Sequence, residues 1–99
     1  MAFIEKICVE ILSFTPVNPA SGTPTAFIAE VSPSSTGGLV SVEVDFGDGS
    51  GWIPATYVSG TQWTVNHTYA VPTPIVTVTI RTLDTYGNYE YFTRDIIVT

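Results

Sequence analysis

Ninety-nine residues make one domain with one core. Three basic residues against nine acidic ones leave a net charge of −6 at pH 7, which argues against recognition of nucleic acid through its phosphates and against docking on an anionic membrane. Hydrophobic residues are 44% and charged residues only 12%, so the polar surface must come from Thr, Ser, Asn and backbone, a composition that suits exposed strands better than exposed helices.

The first apolar segment runs from Phe3 to Phe14. Ile7, Val9 and Ile11 alternate with Lys6, Cys8 and Glu10, the period of a strand, although Ile4, Ile7, Cys8 and Ile11 also fit a helix; Val/Ile/Phe enrichment and the following Pro16 favour the strand. Acidic Glu5 and Glu10 interrupt the segment, and it has neither a basic n-region nor a small-residue cleavage site, so it does not read as a secretory signal. With Met1 as the natural start, the expectation is a chain folded in the cytoplasm without export by that route. Cys8 has no second cysteine to pair with inside the chain and reads as an inert strand residue. No run of about 18 apolar residues exists that could span a bilayer.

Pro16 to Pro24 is a turn-rich loop. Thr25 to Val31 places Phe27, Ala29 and Val31 on one face, and Ser32 to Gly38 is an exposed turn. Leu39 to Phe46 is a second alternating strand, with Val40, Val42, Val44 and Phe46 opposite Ser41, Glu43 and Asp45. It runs straight into Gly47-Asp48-Gly49, two residues that tolerate positive φ around an Asp able to accept backbone N–H groups. Gly51 to Ser59 is broken by Pro54 and reads as an edge strand or an irregular loop. Gln62 to Tyr69 puts Trp63, Val65, His67 and Tyr69 on one face; Val71 to Pro74 is stiff and extended. Ile75 to Leu83 is the cleanest alternation in the chain. Asp84 to Asn88 is a hairpin connection with Gly87 and Asn88 available for positive φ, and Tyr89 to Thr99 is the last strand. About seven short strands, with turn signals roughly every 8–12 residues, indicate an all-β sandwich.

D-F-G-D-G at Asp45 to Gly49, then H-T-Y at His67 to Tyr69, then V-T-V-T-I-R-T-L-D-T-Y-G from Val76 to Gly87 together resemble a polycystic kidney disease (PKD) repeat, over residues 22 to 99. The resemblance implies an immunoglobulin-like β-sandwich of antiparallel strands in two sheets. It marks Asp45, Phe46, Gly47, Asp48, Gly49, His67 and Tyr69 as a structural motif, with His67 and Tyr69 packing and bonding to loop backbone much as a tyrosine corner does. The family usually has Trp two residues before the Phe, where this chain has Val44; Trp63 is expected to fill the core instead.

Little in the sequence reads as a reaction centre. Asp45, Asp48 and Asp84 lack the D-x-D-x-D-G spacing of a calcium loop, so Asp48 is expected to cap its own turn and Asp84 to brace the hairpin. His67 is the one His and no G-x-S-x-G is present. No catalytic, metal or cofactor-binding residue is therefore assigned. Asn66-His67-Thr68 matches a glycosylation sequon, which has meaning only in a secreted eukaryotic chain. Trp52, Trp63, Tyr57, Tyr86, Tyr89 and Tyr91 are the aromatics able to bind something, and Trp52 and Tyr57 are the candidate surface contacts, with Trp52 divided between a core lid and a contact residue. The expected function is a non-enzymatic structural or interaction module acting by protein–protein contact. By fold analogy its place is as a virion accessory protein of a phage, in capsid decoration or tail, assembled in the host cytoplasm. The alternative is an accessory PKD-like domain of a secreted enzyme or surface protein, extracellular or at the cell surface, acting as a spacer or in adhesion to polysaccharide. Carbohydrate binding would require a flat row of exposed aromatics including Trp52.

Overall fold

The computed structural model describes residues 9–32 and 39–99. Cys8, the start of the first apolar segment and the turn at 33–38 lie outside the described residues.

The described chain forms eight strands: β1 (Glu10–Thr15), β2 (Thr25–Ser32), β3 (Leu39–Asp45), β4 (Trp52–Pro54), β5 (Thr56–Ser59), β6 (Gln62–His67), β7 (Thr73–Asp84) and β8 (Tyr89–Val98). They make two four-stranded sheets, ordered β1-β2-β6-β5 and β4-β3-β7-β8, with every pairing antiparallel. Alternation produces the layers: Phe27, Ala29 and Val31 of β2 and Trp63 and Val65 of β6 face Val42 and Val44 of β3 and Val78 and Ile80 of β7 across one buried core.

Departures from strict alternation have local causes. A register shift between Ile11 and Ser13 turns Ile11 and Phe14 inward although they stand three residues apart, while Leu12 is exposed. A second shift, between Leu39 and Ser41, buries Leu39 and exposes Val40, so Val40 does not share the inner face with Val42 as the sequence pattern implied. A third, between Thr73 and Val76, falls at Pro74, where a missing N–H costs the ladder least.

Eight strands stand where about seven were expected because Gly51 to Ser59 is two strands, not one. Trp52–Pro54 pairs with β3 in the second sheet, and Thr56–Ser59 pairs with β6 in the first. The chain changes sheets at Ala55, whose N–H donates to the Val42 carbonyl at 2.8 Å. On the opposite side of the sandwich, the loop after β1 closes onto β8: the N–H of Ile97 donates to Val17 O and that of Thr99 to Pro19 O, both at 2.9 Å.

Candidate functional site

The motif residues gather where β3 leaves the second sheet. Phe46 is fully buried and its ring lies parallel to His67, with centroids 4.1 Å apart and planes 3° apart. Tyr69 stands edge-on to Phe46 and Phe27 and donates its hydroxyl to the Phe46 carbonyl at 2.8 Å. Phe14 and Phe27 continue the aromatic stack, so one run of rings connects the turn to both sheets.

The turn is tied from inside as well. Asp45 Oδ1 accepts the Gly47 N–H at 3.0 Å, and Asp48 Oδ1 accepts the Ser50 N–H at 3.1 Å and the Ser50 hydroxyl. Asp48 Oδ2 meets His67 Nε2 at 2.6 Å. Burial raises the Asp48 pKa, but the Ser50 hydroxyl, His67 and the Ser50 N–H outweigh it and hold the carboxyl below the usual carboxylate range. Burial pushes the Tyr69 phenol well above its usual value, and the nearby charges of Asp48 and Asp45 add to that.

Gly47 and Gly49 both adopt positive φ, +76° and +86°, but only Gly47 is also hemmed in: a Cβ there would sit 2.5 Å from the Thr77 carbonyl oxygen. The hairpin behaves differently. Gly87 takes positive φ but Asn88 does not, because Asp84 Oδ1 accepts the N–H groups of Tyr86 and Asn88, each at 2.9 Å, and sets the turn itself. Among the described residues no three His, Cys, Asp or Glu side chains group as a metal set.

The two proposed contact residues lie on different sheets. Tyr57 on β5 is exposed and edge-on to the buried Trp63, at 5.3 Å between centroids. Trp63 therefore fills the core, but from the sheet opposite Val44. Trp52 on β4 is half-buried on the outer face of the other sheet, where it joins Tyr91 (6.2 Å, 61° between planes) and, through Tyr91, Tyr89 (6.4 Å, 34°). Arg81 of β7 sits among these rings. Its guanidinium carbon lies 4.1 Å from the Trp52 ring centroid and 5.1 Å from that of Tyr89, and its Nε donates to Glu43 Oε1 at 2.8 Å. The Glu43 hydrogen bond raises the Arg81 pKa above its usual value. This patch is not a flat row: its rings are tilted and one face of Trp52 is covered by Arg81. The sequence named its aromatics but not Arg81, whose part depends on β3–β7 and β7–β8 register setting Glu43, Arg81 and Tyr91 side by side.

Two antiparallel sheets, a tyrosine bonded to the backbone of a neighbouring strand's end and no described helix define an immunoglobulin-like β-sandwich. Among solved structures, the chain is similar to the PKD domain of an M14-like peptidase from a Thermoplasmatales archaeon, at 20% identity and a TM-score of 0.62, covering 92% of this chain and 90% of that one. No protein-family model and no curated protein matches the chain. The protein is thus PKD-like in fold.

Proposed function

We propose that this chain is a non-enzymatic interaction module that binds a protein partner through the outer face of the second sheet. The observation that carries this reading is the patch of Trp52, Arg81, Tyr89 and Tyr91 on rigid strands rather than loops. Trp, Tyr and Arg concentrate binding energy at protein interfaces. The tilted rings and the guanidinium over Trp52 favour a protein surface over a polysaccharide chain, which stacks best on coplanar, uncovered rings. The single His supports a structural rather than catalytic role, since Asp48 and Phe46 already engage it.

The place of action follows the partner. In the virion reading the module decorates a capsid or tail assembled in the host cytoplasm. The test is co-purification of the chain with intact particles, lost on Trp52→Ala with Tyr91→Ala; a chain absent from particles refutes it. The second reading, an accessory spacer or adhesion domain outside the cell, is favoured by the PKD domain of the M14-like peptidase. A catalytic domain encoded in the same or the adjoining reading frame, with glycan-array binding that fails on Trp52→Ala, would select it.

A further inference from the structure

We propose that the open edge of β8 pairs with β8 of a second copy of this chain, antiparallel, about a two-fold axis at Phe92. Of the four edge strands, β1, β4 and β5 have six, three and four residues, whereas β8 has ten. Neither Pro nor Gly interrupts it. A long, uninterrupted edge is a template for another strand unless something blunts it.

Which backbone groups face that edge is settled at both ends. The Asp84 N–H donates to Asn88 O at 3.0 Å, so even-numbered residues of β8 bond to β7. The Ile97 N–H turns the other way, to Val17 O, so odd-numbered residues face outward. The 17–19 segment covers the edge at Ile97 and Thr99; among the described residues no strand lies beyond β8 at Tyr89 to Asp95. Two such edges meeting at Phe92 set Tyr91 opposite Thr93 and Tyr89 opposite Asp95, and make about eight main-chain hydrogen bonds.

Among two-folds at even-numbered residues of this edge, charge selects Phe92. A two-fold at Phe92 places Glu90 opposite Arg94 of the other copy, twice, on either side of a Phe92–Phe92 contact. An axis at Glu90 or at Arg94 would oppose like charges. Arg94 donates to two backbone carbonyls, Thr93 O and Ile11 O, and its guanidinium keeps further donors for a carboxylate; the outward Thr93 carbonyl, with two lone pairs, would accept the Tyr91 N–H of the second copy beside the Arg94 donor. The proposal deepens the contact reading in one respect: the paired sheets would set two aromatic–arginine patches on one continuous face. The pairing itself is measured without any partner.

The test is sedimentation of the full chain over a concentration series. A reversible dimer is expected. Thr93→Pro removes an outward N–H while sparing the β7 ladder, so it should give a folded monomer with unchanged sheet circular dichroism. Arg94→Glu and Glu90→Arg should each weaken self-association about tenfold, and an equimolar mixture of the two should recover it as a heterodimer. A monomer up to about 1 mM, a dimer that survives Thr93→Pro, or a mixture no tighter than its parents overturns the proposal. If either charge variant fails to fold, Thr93→Pro alone decides. Partner capture by a parent chain that stays monomeric up to about 1 mM would keep the contact reading and discard the dimer; a Trp52→Ala chain that dimerises but captures nothing would leave both standing.

Discussion

Replacing Gly47 by Ala should cost more than any other single methyl added to the turns described above. Two penalties coincide there. At φ +76° an L-residue is left-handed, which costs about 1–2 kcal/mol. The new Cβ would also lie 2.5 Å from the Thr77 carbonyl oxygen and 3.1 Å from a Val76 methyl. That oxygen belongs to β7 at a residue paired with Asp95 of β8 and two residues beyond the last β3 partner, Thr79, so it cannot retreat without disturbing the β7–β8 ladder. Overpacking of this kind adds about 1–3 kcal/mol. The sum, roughly 2–5 kcal/mol, is a large share of the 5–15 kcal/mol that holds a domain of this size together, and should lower Tm by on the order of 10–30 °C. Gly49→Ala is the internal control. Its φ is +86°, but nothing lies within 4 Å of the new methyl, so only the backbone penalty of about 1–2 kcal/mol applies. Urea denaturation followed by tryptophan fluorescence reads both. Equal losses in the two variants would refute the reasoning, because the close approach to Thr77 would then contribute nothing.

Tyr69→Phe leaves the buried Phe46 carbonyl without its donor and should destabilise by about 1–3 kcal/mol in the same assay. Because burial, and then Asp48 and Asp45, raise the Tyr69 pKa in the folded protein, the unfolded chain ionises this tyrosine first. Stability should fall as pH rises past about 10, and Tyr69→Phe should remove that part of the slope. Asp48 has the opposite sign: its folded pKa is depressed, so its contribution is present above about pH 4 and lost as pH falls through the folded value. Asp48→Asn should therefore be less stable than the parent at neutral pH and should flatten the acid limb of a urea titration. Trp52→Ala should cost about 1–3 kcal/mol in stability, because the ring is half-buried and loses Arg81 and Tyr91, while abolishing partner capture by a chain that still folds.

The strands with one buried face were legible from alternation: Phe27, Ala29 and Val31 on β2, and Val76, Val78 and Ile80 on β7, all face the core. What the alternation could not convey was where its parity slips. Nothing local at Leu12 or Val40 announces a bulge, because a bulge is set by how two strands pair rather than by either strand's own residues. Pro54 announced a break, but a proline that ends one strand does not say that the next residues belong to the other sheet. At the motif, the D-F-G-D-G and H-T-Y segments are distant in the chain; the bond between Asp48 and His67 spans 19 positions, and only the strand order brings the two within 2.6 Å. Arg81 was missed for the same reason. In the sequence it is one polar residue in an alternating run, and its rings arrive from β4 and β8.

The fold and the contact face draw on different residues, and this explains how one architecture persists at 20% identity with a TM-score of 0.62. Inward positions need volume and apolar character, which many residues satisfy, so they constrain sequence loosely. A few positions are constrained tightly by geometry: Gly47 by the Thr77 oxygen, Tyr69 by the Phe46 carbonyl, Asp48 by Ser50 and His67. None of these is exposed on the outer face of the second sheet. Trp52, Arg81, Tyr89 and Tyr91 lie on that face, and replacing them should leave the core and the turn intact. A sandwich divided this way can change partners without changing fold, so under the proposed function the outward residues of β4, β7 and β8, rather than the motif that reveals the fold, are the ones to vary in a search for a partner.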